Sequence, residues 1–160
     1  MNRVIAEKPK LLIDAVYISS GGGLVLLNYL LQELHKYNID IHLLLDLRNR
    51  SNYSIIDQNK ISRIKPSLWK RYQFYQKNKS NFTIVVTINN LPPTIHMNSS
   101  RVYTYFHQYL FLDNVGMDYG LMNRMFLGLK KRFISYFIKN TDQFIVQTQA
   151  VKDKFVSVFK

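Results

Sequence analysis

The sequence predicts an α/β fold, in which a doubly wound, mostly parallel sheet carries helices on both faces. Short apolar segments alternate with segments of helical periodicity along the chain, as in such sheets. The first strand is expected at residues 11–18, "LLIDAVYI", and the first helix at 24–37, with Gly21, Gly22 and Gly23 between them. A second strand at 39–47, "IDIHLLLDL", completes a βαβ unit whose crossover should be right-handed.

The alternation continues to the last residue. We expect further strands at residues 61–66, 82–88, 101–108 and 142–148, and further helices at 68–78, 118–140 and 149–160, with Ser67 as an N-cap. The sequence predicts one domain over residues 1–160, without repeats or low-complexity tracts. Because residue 160 falls within or just after a helix, we expect this domain to belong to something longer.

The composition limits the partners without choosing among them. The 160 residues carry a formal net charge of +12, which favours nucleic acid, phosphorylated small molecules or an acidic membrane surface. The absence of cysteine excludes disulfides and thiolate metal sites. No uninterrupted apolar run is long enough to cross a bilayer, and Asp14 interrupts the apolar N-terminal stretch. We therefore expect a cytoplasmic chain, with peripheral attachment to the inner face of the membrane as an option.

The glycines lie where a doubly wound sheet binds ligands, beyond the carboxyl end of its first strand. Gly21, Gly22 and Gly23 allow close approach to the backbone, and a helix beginning near Gly23 would direct free N–H groups at a phosphate. The spacing matches neither G-x-G-x-x-G nor the Walker pattern. The hypotheses are a phosphate site or a tight turn with close packing.

His107 follows the predicted strand in "VYTYFHQ", at the same edge of the sheet as the glycines. Its imidazole could serve as an acid or base or bind a ligand, or it could be a structural hydrogen-bonding group. The other histidines show no metal-ligand spacing: His35, His42 and His96. We therefore expect no metal site.

Two basic segments contain interleaved aromatic residues. In the helix expected at 118–140, an apolar face is formed by Met122, Met125, Phe126, Leu129, Phe133 and Phe137. Leu127, Ile134 and Ile138 fall on another side of it, and the flanking bases are Arg124, Lys131, Arg132 and Lys139. Such a helix is either part of a core with a solvated rim or a contact with an anionic membrane surface. The same alternatives apply to residues 60–79 around Trp69.

In combination, three motifs resemble the N-terminal domain of a GT-B glycosyltransferase of the group-1, family-4 type. These are the strand followed by "SGGG", then "VYTYFHQ", then "NTDQFIVQTQAVKDKF". The resemblance covers residues 10–160. It implies that the chain is one Rossmann-like half of a GT-B fold, on the acceptor side, and that the C-terminal domain that binds the nucleotide-sugar is absent from it.

The resemblance also implies a function and site residues. A sugar would pass from a nucleotide-sugar to an acceptor in cell-surface polysaccharide or glycolipid synthesis, without a metal or other cofactor. Gly21, Gly22 and Gly23 would lie near the donor diphosphate, and His107 beside the reacting centre or acceptor. A sugar or lipid-linked acceptor, or the membrane, would contact Trp69, Arg124, Lys130, Lys131 and Arg132. The partners would include a C-terminal domain or a partner subunit, and this chain alone would be inactive.

Two other classes of function compete with this one. A basic nucleic-acid-binding module would need bases and aromatics converging on one face, whereas here they are scattered over several elements. A different Rossmann-like nucleotide binder, such as an epimerase or dehydrogenase, usually carries G-x-G-x-x-G and an acidic residue after the second strand. Asp46 keeps that alternative open.

Overall fold

A six-stranded parallel sheet, in the order β3-β2-β1-β4-β5-β6, forms the centre of the molecule. The computed structural model describes residues 8–107, 112 and 121–159. The strands are β1 (Lys10–Ala15), β2 (Asp40–Asp46), β3 (Ile61–Ile64), β4 (Ile84–Thr87), β5 (Arg101–Phe106) and β6 (Gln143–Val146). The helices are α1 (Gly21–Leu34), α2 (Leu68–Asn78), α3 (Leu121–Phe137) and α4 (Gln149–Phe159), and short 3₁₀ turns cover Gln58–Lys60 and Ile138–Asn140.

The central strand β1 is apolar on both faces, as a strand between two layers of helices must be. Successive side chains of a strand point to opposite faces, so Ile13 and Leu12 enter different cores. Within the sheet, Ile13 of β1 is paired with Leu43 of β2 on one side and with Val86 of β4 on the other. This register aligns the carboxyl ends of β1, β2 and β4 at one edge of the sheet.

Helices cover both faces of the sheet, which confirms the predicted fold class. On one face, α1 buries Leu27 and Leu31 against the core of Ile13. On the other face, α2 contributes Tyr75. The remaining helices pack around Phe106 of β5, which points to the same face as Val102 because the two residues are four positions apart.

Every predicted strand and helix has a counterpart in the described part of the chain, and the differences lie at their ends. The first strand stops at Ala15 because the Asp14 side chain accepts the Val16 N–H at 3.0 Å and the chain then turns, with Tyr17 at φ 78°. The first helix begins at Gly21, before the predicted start. Residues 108, 118–120 and 160, included in predicted elements, lie outside the described residues.

The long helix α3 packs through a different side from its longest apolar stripe. Its core side chain is Ile134, which is fully buried, with Leu127 and Ile138 packed beside it. Met125 and Leu129 are exposed instead. On the face that carries more apolar residues in the sequence, Phe133 and Phe137 are half-buried, and the side chains of Met122 and Phe126 lie outside the described part.

Candidate functional site

A cleft with a volume of about 720 Å³ opens at the carboxyl edge of the sheet, beyond β1, β4 and β5. Ligands of doubly wound sheets bind at this edge, so the cleft is the candidate functional site. It is lined by Tyr17, Ile18, Ser20, Gly23, Pro66, Leu68, Asn89, Asn90, Leu91, His107, Leu129, Lys130 and Phe133. The structure therefore brings the start of α1 and His107, which are far apart in sequence, to one cavity.

Gly21, Gly22 and Gly23 form the first turn of α1, whereas the sequence predicted that they would precede the helix. Gly21 has φ +68°, a conformation that favours glycine, and follows the N-cap residue Ser20. In the described structure the Ser20 side chain does not cap the helix, and the first turn contains no acidic residue. The first backbone N–H groups of α1 are thus not capped by Ser20, and they carry the partial positive charge of the helix terminus.

The three glycines differ in their surroundings. A Cβ at Gly22 would meet nothing within 4 Å, whereas a Cβ at Gly23 would lie 3.2 Å from Cγ2 of Ile18. Gly23 lines the cleft, and Gly21 and Gly22 are exposed at its border. Close packing explains the glycine at 23 and backbone conformation explains the one at 21, but neither explains the one at 22.

His107 is held in the cleft by its backbone and by ring stacking. Its N–H donates to Oδ1 of Asn90 at 2.7 Å, and its ring stacks on Tyr105 with centroids 5.5 Å apart. The Tyr105 hydroxyl in turn accepts a hydrogen bond from Nε2 of Gln147 at 2.9 Å. Burial lowers the pKa of His107, so the neutral imidazole is favoured.

The His107 side chain has an unused polar atom. Its Nδ1 is buried and has no hydrogen-bond partner within the described part of the molecule. Buried polar atoms in proteins are nearly always hydrogen-bonded, and an exception next to a cavity indicates a place for a ligand atom or water. The ring therefore offers one nitrogen that the described residues leave without a hydrogen bond.

A buried polar network behind the cleft was not identified from the sequence. The carboxylate of Asp14 accepts hydrogen bonds from Arg71 Nε at 2.6 Å, from the Tyr75 hydroxyl at 2.6 Å and from Asn89 Nδ2 at 3.1 Å. Asp14, Arg71 and Tyr75 are all inaccessible to solvent. Signals for this network do exist in the sequence: a lone acid within an apolar strand, and a base four residues before Tyr75 in α2.

Arg71 connects this network to the wall of the cleft. Its Nη1 and Nη2 donate to the carbonyl oxygens of Pro92 and Leu91 at 2.7 and 2.9 Å. The loop that starts after β4 is thus fixed at two carbonyls, just beyond the cleft-lining residues Asn89 and Asn90. Asn90 has φ 64° and holds the backbone of His107, so Arg71 supports the position of the histidine indirectly.

The carboxylate of Asp46, at the end of β2, forms an ion pair with Arg48. Arg48 Nε and Nη2 bind its two carboxylate oxygens at 3.0 and 2.7 Å, and the Arg48 N–H adds a bond of 2.9 Å. Burial raises the pKa of Asp46, but the hydrogen bonds from Arg48 outweigh burial and keep the pKa below its usual value. The carboxylate is fully buried, so it is not presented to a ribose as the acid of a dinucleotide site would be.

The predicted basic and aromatic surface residues are divided between two helices. Trp69 is exposed on α2, stacked on Tyr72 with centroids 5.4 Å apart, and its neighbour Leu68 lines the cleft. Lys130 lines the cleft from α3, while Lys131 is half-buried and Arg132 exposed on that helix. Arg124 belongs to α3, but its side chain lies outside the described part.

The described residues, 8–107, 112 and 121–159, offer neither a cluster of metal ligands nor a membrane-spanning helix. Within them, no group of three or more His, Cys, Asp or Glu side chains could hold a metal ion. In the same ranges, none of the helices combines the length and apolar character needed to span a bilayer.

The fold is similar to that of solved enzymes. One is described as an alpha-glucosyltransferase in complex with UDP and a 13-mer DNA containing a HMU base, with a TM-score of 0.52 and 12% sequence identity. The match covers 88% of this chain and 38% of that chain. Another is an ethylated short-chain dehydrogenase/reductase from Veillonella parvula DSM 2008, with a TM-score of 0.47, 15% identity and coverage of 88% and 68%.

The order of the parallel strands and the likeness to the glucosyltransferase establish the class of the domain, which is α/β and Rossmann-like. At 12% identity, the glucosyltransferase match concerns the fold alone, and this chain spans 38% of the length of that protein. No protein-family profile matches the sequence, and no curated protein matches it.

Proposed function

We propose that this chain is the acceptor-side domain of a glycosyltransferase, which transfers a sugar from a nucleotide-sugar to an acceptor. The observation that carries the proposal is the shared cleft, which is bordered by the start of α1 and by His107, whose Nδ1 has no hydrogen-bond partner among the described residues. The fold shared with an alpha-glucosyltransferase that was solved with UDP supports it. We also propose that the transferase is of the group-1, family-4 type, which the sequence motifs resemble.

The start of α1 would stabilise the leaving diphosphate. As the bond between sugar and diphosphate breaks, negative charge develops on the phosphate oxygen that departs. Backbone N–H groups at Gly22 and Gly23, with the positive end of the helix, suit that charge without any side chain. The open space around the Cα of Gly22 would let the phosphate approach the backbone closely.

His107 would bind a hydroxyl group of the sugar or acceptor through Nδ1. A neutral imidazole can donate one hydrogen bond and accept one, which suits a hydroxyl better than a phosphate. Burial keeps the ring neutral at pH 7 by lowering its pKa, and the Asn90 contact fixes the backbone from which the ring projects. The histidine would thereby orient the reacting groups.

The opposite wall of the cleft would come from a nucleotide-binding domain, in a longer chain or in a partner subunit. The apolar residues that line the cleft include Leu68, Leu91 and Leu129. Such a lining suits the acceptor side of the reaction, and a lipid-linked acceptor in particular. We place the reaction in cell-surface polysaccharide or glycolipid assembly at the cytoplasmic side of the membrane.

An NMR titration of the 160-residue chain tests the proposal. The ligands are UDP-glucose, GDP-mannose, NAD and a 13-mer single-stranded oligonucleotide, each added to ¹⁵N-labelled protein. We expect a sugar nucleotide to change the chemical shifts of the Gly22 and Gly23 amides and of the His107 ring. NAD and the oligonucleotide should leave these signals unchanged. NMR suits the weak binding expected of half a site.

The two competing functions give different results in the same titration. A shift of the α1 amides by NAD alone would favour an epimerase- or dehydrogenase-like domain. Salt-sensitive shifts by the oligonucleotide, centred on the Trp69–Tyr72 stack, would favour a nucleic-acid-binding module. Either result, without a response to a sugar nucleotide, would refute the transferase proposal.

A further inference from the structure

Helix α3 has apolar residues on two opposite sides, and those of its described side chains that belong to the core cluster lie on one of them. Ile134 enters the core, with Leu127 and Ile138 packed against it. In a helix of 3.6 residues per turn, these three positions share a narrow sector. The sector on the far side of the helix should be polar if it faced only water.

The outward side of α3 is instead apolar and aromatic. Met125, Leu129 and Tyr136 are 57%, 56% and 71% exposed, and Phe133 is half-buried between them. The spacing of these residues (i, i+4, i+8 and i+11) places them in one line along the helix. We refer to these four residues as the α3 stripe.

Cations flank the α3 stripe without any acid on the helix. Lys130 and Arg132 fall on opposite sides of Leu129 around the helix axis, and Lys139 follows on the side of Arg132. The sequence of α3, LMNRMFLGLKKRFISYF, contains neither Asp nor Glu. An apolar line between basic flanks is the pattern of helices that lie in the plane of an anionic membrane surface.

The α3 stripe continues into the mouth of the cleft. Leu129 and Phe133 line the cleft from α3, and Leu68 lines it from the start of α2. Leu68 is 45% exposed, and the adjacent Trp69 is 61% exposed. Two helices thus border the cleft with apolar side chains that also reach the surface.

We propose that the α3 stripe, together with Leu68 and Trp69, docks on the surface of an anionic lipid bilayer. A second copy of this chain suits the surface less well, because the net charge of +12 makes two such molecules repel one another. Docking would place the mouth of the cleft at the lipid surface. The proposal does not depend on the glycosyltransferase function, since vesicle binding requires no turnover.

Co-sedimentation of the 160-residue chain with lipid vesicles tests the proposal. Vesicles of phosphatidylcholine with about 30% phosphatidylglycerol should pellet the protein at low salt, and vesicles of pure phosphatidylcholine should not. Raising the salt should weaken the binding, because the lysines and arginines act through screened charge. Equal binding to both types of vesicle, or none to either, would overturn the proposal.

Matched variants locate the contact. Leu129→Asp should reduce binding about tenfold or more, since it puts a charge into the apolar contact. Val25→Asp on α1 is the control: Val25 is 70% exposed, but α1 lies on the opposite face of the sheet. Both variants should retain the circular dichroism spectrum of the parent. Equal losses in the two variants would contradict the α3 stripe as the docking surface.

Charge reversal provides a second, independent comparison. Arg132→Glu beside the stripe should weaken binding to anionic vesicles more than Lys79→Glu does. Lys79 follows the last residue of α2, at the far end from Leu68 and the cleft. Equal effects of the two reversals would indicate net charge alone and would refute a defined surface.

The single tryptophan reports on the α2 side of the surface. Trp69 is exposed, so its emission should shift to shorter wavelength on binding, and lipids brominated in their acyl chains should quench it. Vesicle binding without quenching would contradict a surface that includes Trp69. Light scattering supplies the remaining outcome: a dimer that Leu129→Asp dissociates, without vesicle binding, would assign the stripe to self-association and overturn the proposal.

Discussion

Asp14 and Arg71 form a fully buried ion pair, with Nε of the arginine 2.6 Å from Oδ2 of the aspartate. The pair joins the central strand β1 to helix α2, 57 residues later in the chain. Because Arg71 also donates to the carbonyls of Leu91 and Pro92, all of its donor nitrogens have acceptors. The pair is therefore satisfied on both sides, and it fixes one border of the cleft.

Arg71→Met should destabilise the protein strongly. Removal of the guanidinium leaves the Asp14 carboxylate buried without its cation and two loop carbonyls without donors. Breaking a buried pair in this way costs about 3–5 kcal/mol of unfolding free energy. Urea denaturation followed by circular dichroism measures the loss. Lys36→Met, which removes the exposed pair of Lys36 with Glu33, should have a far smaller effect, and equal losses would show that Arg71 has no special role.

Gly22→Ala should separate stability from ligand binding. A Cβ at this position meets nothing within 4 Å, and alanine favours the helix by up to about 1 kcal/mol, so the free protein should be unchanged or slightly more stable. The same Cβ would obstruct a phosphate at the start of α1, so the affinity for the sugar nucleotide that binds should fall about tenfold.

The control for this change is Gly128→Ala on α3, where an added Cβ also meets nothing within 4 Å. It should leave the affinity of the sugar nucleotide unchanged in the same titration. If Gly22→Ala binds as well as the parent, the phosphate does not approach the first turn of α1. Gly21→Ala is unsuitable as a control, because φ +68° strains an alanine by about 1–2 kcal/mol.

His107→Phe should lower binding without lowering stability. Phenylalanine preserves the stacking on Tyr105 and removes Nδ1, a buried polar atom without a partner among the described residues. Loss of an unsatisfied polar atom is neutral or stabilising, whereas the missing hydrogen bond should weaken sugar-nucleotide or acceptor binding about fivefold. Thermal unfolding and NMR titration are measured on the same samples. A variant that is destabilised yet binds normally would make His107 structural.

The ring of His107 should titrate below the ordinary histidine value of 6.5, because burial disfavours the imidazolium. A folded-state pKa that is lower than the unfolded one stabilises the protein above pH 6.5, and this contribution is lost as the pH falls through the lowered pKa. Ring proton shifts recorded against pH give the midpoint. A midpoint at or above 6.5 would contradict the burial of the ring.

Tyr75 should make the protein sensitive to alkali. Burial, reinforced by the charge of Asp14, raises the pKa of its hydroxyl well above 10.0. A folded-state pKa above the unfolded one gives a stabilisation that is complete below pH 10 and is lost as the pH rises toward the raised value. Urea denaturation between pH 8 and 11 should show this decline, and Tyr75→Phe should decline less steeply. Identical slopes would mean that Tyr75 ionises normally in the folded state.

The sequence alone predicted the class of fold and the edge of the sheet where the site lies. Period-two and period-3.6 patterns are local, so β1, α1 and β2 could be read from the sequence to within a few residues. Since the carboxyl ends of parallel strands lie at a common edge, the sequence alone predicted that the glycines and His107 lie at the same edge of the sheet. The structure brings Gly23 and His107 to the same cleft.

Only the tertiary structure decided which residues those patterns bury. Arg71 occurs in a helix rich in bases and resembles a solvated residue in the sequence, but an aspartate from β1 and two loop carbonyls make it part of the interior. In α3, both sides are apolar, and the cluster formed with Phe106 of β5 and Phe155 of α4 is what buries Ile134. The start and period of an element are set by neighbours in sequence, whereas burial is set by residues brought together in space. The sequence therefore determined the elements of this protein, and the packing determined its buried ion pair and its exposed apolar face.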